Sequence, residues 1–261
     1  MPVGDVQYGA EGCAFDKFKR HMEWGMKHGA YFVGLGDYLD VASPTGRQKI
    51  RNADFYDSVH AALEDKVHEQ LEKFYTAVKG TEGRWIGLVH GHHYYEFQDG
   101  TMTDVILAER LRAPYLGTCG IVQIKFQTGT IKQTGQIWIH HGQGSGATMA
   151  SPLNKLEKMM SRFPTVDVFL LGHFSRKCGY PIDALVPVFG SKPRLVAKRR
   201  ILACTGGFLK GWNVGSKRNG RPAGGYVEAA AMVPTNLGGV VIRMRPVHTA
   251  DENRLDLSIE L

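Results

Sequence analysis

Six of the eleven histidines, His90, His92, His93, His140, His141 and His173, follow directly on short apolar runs, and two acids, Asp5 and Asp37, close two more. Imidazole nitrogen suits Zn, Mn or Fe, and a carboxylate can bridge two ions. Acids and imidazoles delivered together at the ends of apolar runs are therefore the chemistry of a divalent metal centre. The Gly36-Asp37 pair, with Asp40 three residues on, reads by itself equally well as a turn cap. The downstream histidines shift that balance towards a site. His21, His28, His60 and His68 lie within helical patterns and His248 in a polar tail, where surface or core roles suffice.

The elements that must position these groups follow from periodicity. Met1, Pro2 and Val3 read as the tail of a strand, Phe15, Phe18, Met22 and Met26 recur at helical spacing up to Gly29, and an apolar run leads into Asp37. This predicts a βαβ unit, whose right-handed closure sets both strands side by side and brings Asp5 and Asp37 out at one sheet edge. A polar loop is expected over 44–52, and then a long helix whose face is Phe55, Val59, Leu63, Val67, Leu71, Phe74 and Val78. A strand over 85–89 enters the His90 to His93 cluster, and a short helix over 105–111 follows. Alternation over 121–140 predicts an antiparallel hairpin running into His140-His141. A helix over 153–163 and a buried strand over 166–171 lead to Gly172-His173-Phe174-Ser175. The remainder reads as strands over 184–189, 195–204, 239–245 and 255–259, with a basic, glycine-rich loop over 206–225. Without a repeat, linker or composition break, the expectation is one α/β domain over 1–261, with two packed sheets and helices outside. It divides into a metal-motif region, 1–175, and a β-rich region, 176–261.

The motifs Asp5-x-Gln7, Gly36-Asp37-x-x-Asp40, Gly91-His92-His93, His140-His141-Gly142 and Gly172-His173-Phe174-Ser175 stand in an order that resembles the calcineurin-like metallophosphoesterase superfamily. That family's motifs run DxH, GDxxD, GNH with a following acid, a later histidine, and GHxH. The similarity spans residues 5–175 and is nearest to the compact phage and prokaryotic members grouped with DNA repair exonucleases. It implies a four-layer αββα sandwich of two mixed sheets, and one or two divalent ions per chain (Mn, Zn, Fe or Mg). One metal site would draw on Asp5, Gln7, Asp37 and Ser175, with Asp37 bridging to a second of His92, His141 and His173. His140 competes with His141, and since neighbouring strand residues face opposite ways only one of them enters the site. The implied activity is hydrolysis of a phosphate ester by metal-activated water. His93 would stabilise charge or protonate the leaving oxygen, and Asp40 would orient its neighbours. Gln7 and Ser175 stand where the family has imidazoles and His92 where it has asparagine, so the resemblance implies a strong second site beside a weakened first. Tyr94 replaces the acid after the histidine, leaving Glu96 as a candidate substitute.

Composition sets the remaining bounds. With 43% hydrophobic and 22% charged residues, the chain has the make-up of a globular enzyme. It has no apolar run of membrane-span length and no leader-like start, so a cytoplasmic chain without a membrane partner is expected. Four scattered cysteines argue against a disulfide framework or a cysteine zinc site and read as buried thiols. Residues 176–221 carry eleven Lys and Arg against one acid, a balance of +10 within a total of +7. Such a segment is either a solvated basic face or a surface for a polyanion, with Lys198, Arg199, Arg200, Lys217 and Arg218 the candidate phosphate or nucleic-acid contacts. The leading expectation is a phosphodiesterase or nuclease. The alternatives are a phosphomonoesterase on nucleotides or phosphoproteins, or a catalytically weakened binding protein of the same fold. Homo-oligomerisation stays open.

Overall fold

The βαβ unit forms as the apolar pattern dictates. In the computed structural model, which describes residues 1–144, 148, 150–189, 193–212, 217–218, 221–222, 228, 231, 235–249 and 253–261, β1 (Pro2–Val3) pairs in parallel with β2 (Phe32–Gly34). Helix α1 (Phe15–Lys27) crosses between them. β2 pairs in parallel with β3 (Trp85–Leu88), completing a three-stranded sheet in the order β1-β2-β3. Between β2 and β3 come α2 (Pro44–Arg51) and α3 (Asp57–Val78). The predicted loop over 44–52 is thus a helix. Ser43 caps it by accepting from the Gly46 N–H at 3.1 Å, and Pro44 occupies its first turn, a start signal outweighed in the sequence by the lack of any apolar stripe. In α3 the packed face begins at Leu63, which is half-buried against Val67, Tyr95 and Phe97. Val67, Leu71, Phe74 and Val78 are buried, whereas Phe55, ahead of the helix, and Val59, in its first turn, are exposed.

After α4 (Thr103–Arg110), strands β4 (Cys119–Thr128) and β5 (Ile131–His140) form the expected hairpin. Helix α5 (Ser151–Arg162) returns the chain to β6 (Val168–Leu171), then β7 (Lys177–Val188) and β8 (Arg194–Thr205). These make a five-stranded mixed sheet in the order β4-β5-β6-β8-β7, with β6 parallel to both β5 and β8. β7 begins well before the predicted 184, because Cys178 to Asp183 pair along β8 despite Gly179 and Pro181. Part of the expected loop over 206–225 is a small antiparallel pair, β9 (Lys217–Arg218) with β10 (Arg221–Pro222). The chain closes with the hairpin β11 (Val241–His248) and β12 (Asn253–Glu260).

Strand alternation explains the core. Ile137, Ile139, Val168, Leu170, Ile201 and Ala203 face Val33, Leu35, Val89 and the inner side of the last hairpin, Leu257 among them. Trp138, Phe169, Leu171, Leu202 and Cys204 point the other way, against Leu156 of α5. Both faces of β6 are covered, which is why it reads as an unbroken apolar run. A third cluster sets Phe18, Phe74 and Phe208 between the first sheet and α1, α3 and α4. Ile139, fully buried between the sheets, gives a calibration. Ile139→Val should lower the free energy of unfolding in urea by about 1 kcal/mol.

The thiols divide. Cys178 and Cys204 are buried cross-strand neighbours, but Cys13 is half-buried and Cys119 exposed, so buried thiols hold for two of the four. Among the described residues no helix is long and apolar enough to cross a membrane.

Candidate metal centre

Backbone geometry marks the site before any side chain is considered. Among the described residues seven non-glycine positions hold positive φ, and five of them are Asp5 (49°), Gln7 (48°), Asp37 (52°), His173 (68°) and Ser175 (47°). Left-handed backbone is strained for residues with a Cβ and persists where its surroundings over-determine it, characteristically at functional sites. Here the surroundings are neighbouring loops. Asp5 N–H donates to Gly36 O at 3.0 Å and Gln7 N–H to Asp37 O at 2.9 Å, locking the turns after β1 and β2 together.

Asp37 is the hub. Its Oδ1 accepts from the backbone N–H of His92 and, at 3.0 Å, from that of His93, drawing the loop after β3 onto the loop after β2. Its Oδ2 lies 3.3 Å from His141 Nε2 and 3.9 Å from His93 Nε2. Asp5 Oδ2 accepts from the His173 N–H at 2.7 Å. Two groups of ligand atoms result, His92 with His141 and His173, and Asp5 with Asp37 and His141, the atoms within each group lying within 4.8 Å of one another. His141 thus belongs to both groups, where the family resemblance gives the shared role to Asp37.

The tautomers follow from partners that can only accept. His141 Nδ1–H donates to Leu35 O at 2.6 Å and His173 Nε2–H to Gly144 O at 2.9 Å, so in the neutral rings His141 Nε2 and His173 Nδ1 turn lone pairs inward. His92 Nδ1 lies 3.2 Å from His173 Nδ1. Burial pushes the Asp5 carboxyl up to about 7 even against the pull of His141. Burial works against charge on His141, yet Asp37 and Asp5 outweigh it and lift the imidazole to about 9. Asp37, buried between imidazoles, ends below the usual carboxylate range because His141, His93 and the His92 N–H together overcome its desolvation. Two buried atoms, Asp5 Oδ1 and His141 Nε2, have no hydrogen-bond partner, the 3.3 Å approach to Asp37 being too poorly aligned to count as one. Orphaned polar atoms amid two carboxylates and three imidazoles fit a divalent cation, which would take the place of the proton that His141 Nε2 carries without it.

The other expected residues separate cleanly. His93 Nδ1–H donates to Asp40 Oδ1 at 2.7 Å, which turns Nε2 towards Asp37. Burial disfavours its charge, but Asp40 and Asp37 prevail and raise its pKa. Ser175 lies on the Asp5 side, since a Cβ on Gly207 would stand 2.7 Å from Asp5 Cβ and 3.4 Å from Ser175 Oγ. Gln7 is held there by its backbone bond to Asp37. His140 stays outside, its Nδ1 accepting from the Gly142 N–H at 2.7 Å and its ring stacked on Trp138. His90 turns to the Tyr115 hydroxyl at 2.6 Å. Glu96 faces Arg51 at 3.4 Å and is absent from both ligand groups, so it does not replace the missing acid.

The basic residues are also elsewhere. β8 reaches the histidine end at Cys204, paired with Leu171, which leaves Arg200 about 13 Å and Lys198 about 20 Å short of it along the strand. Arg200 is buried and donates to Pro164 O, Lys198 pairs with Asp167 at 2.6 Å, and Arg199 pairs with Asp183 at 3.0 Å. These three do not form a phosphate-binding face beside the histidines, because charge adjacent in sequence runs away from the site along the strand. The side chains of Lys217 and Arg218 lie outside the described residues.

Three contributors have no motif. Arg47, in the unexpected helix α2, donates to His92 O at 2.5 Å and Tyr94 O at 3.1 Å and stacks 3.8 Å from the Tyr94 ring centroid. Asp104, buried at the start of α4, accepts from the Gly91 N–H at 3.3 Å, and burial raises its carboxyl to about 7. Gln70 in α3 donates to Tyr8 O. The early acid of a helix and the Ser-Pro start of α2 are the only signals that could have pointed to the first two.

No family model matches the chain, and a search of curated proteins gives no match.

Proposed function

We propose that this chain is a metal-dependent phosphoesterase of the calcineurin-like type, a single domain over 1–261 folded as a four-layer αββα sandwich and acting on phosphodiesters. The observation that carries this reading is convergence. Asp5, Asp37, His92, His141 and His173 come from five segments, follow the motif order of that superfamily, and meet in two adjoining groups of ligand atoms that share His141, each compact enough to surround a cation. The packing of α1, α3 and α4 on one sheet, of the two sheets on each other and of α5 on the second supports the layered reading.

In this mechanism His92, His141 and His173 would hold one ion, while Asp5 and Asp37, with Gln7 and Ser175 as neutral oxygen donors, would hold a second more weakly. A divalent ion here supplies activation of water and neutralisation of phosphate charge. Asp40 holds the Nδ1 proton of His93 and, with Asp37, favours the imidazolium, whose Nε2 proton is the one delivered to the leaving oxygen. Arg47 and Asp104 keep the His92-His93 backbone in register with Asp37. The nuclease version of this reading drew on a basic face at the site, and Lys198, Arg199 and Arg200 no longer supply it.

The test is metal analysis of purified protein together with hydrolysis of bis-p-nitrophenyl phosphate in Mn, Zn or Mg. Turnover that requires metal is expected; bound metal without turnover in any of the three would defeat the enzyme reading. His93→Ala should lower kcat roughly a hundredfold with metal content unchanged. Unaltered kcat would remove the proton-donor role from His93.

A further inference from the structure

At the end of the second sheet remote from the histidines, a strand is missing. β6 pairs with β5 only from Ile137 onward and with β8 only from Ile201, although β5 begins at Ile131 and β8 at Arg194. Before those points β5 is bonded on its outer edge to β4 and β8 on its outer edge to β7, while their inner edges face each other. Two strand spacings amount to about 9.5 Å, which one extended chain fills.

Asp167 plugs the inner end of this gap. Its N–H donates to Gln136 O at 3.0 Å, its carbonyl accepts from Ile201 N–H at 2.9 Å, and its Oδ2 accepts from Gln136 N–H at 2.8 Å. Backbone groups alternate between the two edges of a strand. Since Gln136 and Ile201 face the gap, so do the N–H and C=O groups of Lys132 and Thr134 on one wall and of Leu195, Ala197 and Arg199 on the other. Among the described residues these five have no backbone partner beyond their own hairpins. All of them but Leu195 line a cavity of about 1400 Å³, roofed by the β11–β12 hairpin, with seven Lys or Arg against three Asp in its lining, a balance of +4. Val186, Val196 and Leu255 add apolar surface.

We propose that this gap binds an extended acidic peptide segment of a partner protein, which enters as the strand missing in line with β6. Unpaired inner edges template strand addition, with backbone bonds giving affinity and alternate side chains giving selectivity. A nucleic-acid strand suits the gap less well, because its phosphates only accept and would meet a carbonyl at every second wall group. The inference is independent of the phosphoesterase reading, since the gap lies at the opposite end of β6 from His173.

The probes are fluorescein-labelled peptides of about eight residues that alternate Glu with Val, Ile, Thr or Leu, measured by anisotropy and by amide hydrogen exchange on the full chain. Binding is expected to slow exchange at Thr134, Ala197 and Arg199 and to weaken at least tenfold when alternate peptide nitrogens are methylated, a control that leaves the protein untouched. Ala197→Pro, which removes a gap-facing N–H and spares the ladder to β7, should weaken binding similarly, roughly tenfold. Three results would each overturn the proposal. They are no binding by any of these peptides, binding insensitive to methylation, and protection of the same amides by oligothymidylate or by self-association seen in sedimentation.

Discussion

Asp37→Asn should empty the Asp5–Asp37–His141 group, weaken metal at the neighbouring group by removing the charge beside the shared His141, and reduce metal-dependent phosphodiester hydrolysis by roughly three orders of magnitude. The change is nearly isosteric, and the amide oxygen can still accept the His92 and His93 N–H bonds that fasten the loop after β3 to the loop after β2. What disappears is negative charge at the one carboxylate that faces His141, His93 and the Asp5 group together. Without it Asp5 is left as the only acid in the cluster, and burial already drives that carboxyl towards its protonated form. The measurement is metal content by plasma emission beside turnover, with circular dichroism to show that the fold persists. Asp37→Asn protein retaining full metal content would show that the hub lies elsewhere. Gln7→Ala or Ser175→Ala, by contrast, should affect only the Asp5 side and leave metal on His92, His141 and His173.

The sequence carried much of this arrangement because chemistry and periodicity coincide at strand ends. Asp37, His92, His141 and His173 each terminate or closely follow an apolar run, so a polar group where the apolar pattern stops was legible as a site. Strand alternation implied that only one of His140 and His141 enters the site, and the resemblance, whose histidine directly precedes the glycine, favoured His141; Trp138 stacking on His140 is the same alternation at work. What escaped reading was contributed by elements whose own pattern says nothing about a partner. α2 has no buried residue, so no apolar stripe announced the helix that carries Arg47. Asp104 looks like any first-turn acid, and only its burial against Gly91 gives it a role. The basic segment was misleading for a related reason. Charge density along a chain records composition, whereas a strand carries successive residues about 3.3 Å further from the site. Lys198 and Arg199 therefore meet Asp167 and Asp183 instead. The gap beyond β6 was equally invisible, since it arises from unequal strand lengths within a paired sheet.

Gly91→Ala tests whether backbone approach, and not ligand identity alone, builds the centre. A Cβ at Gly91 would stand 2.0 Å from Asp37 Oδ1 and 2.2 Å from Asp37 N, and across the same contact a Cβ at Gly36, whose φ is +86°, would stand 2.5 Å from Gly91 Cα. Neither loop can yield cheaply. Asp37 is tied to Gln7 through its carbonyl, and the Gly91 loop is tied to Asp104 and, through Arg47, to α2. Relief requires the two loops to part, which breaks the bonds from His92 and His93 to Asp37 and carries His92 away from His141 and His173. The expected result is metal affinity lowered roughly a hundredfold, as when outer partners of metal ligands are lost. Overpacking should also lower the free energy of unfolding by about 2 kcal/mol. Both are measurable on one preparation, by competition with a chromogenic chelator and by urea titration of the metal-free protein. A variant that loses stability but binds metal normally would mean that the loops part without moving the ligands, and the close glycine contact would then serve folding alone.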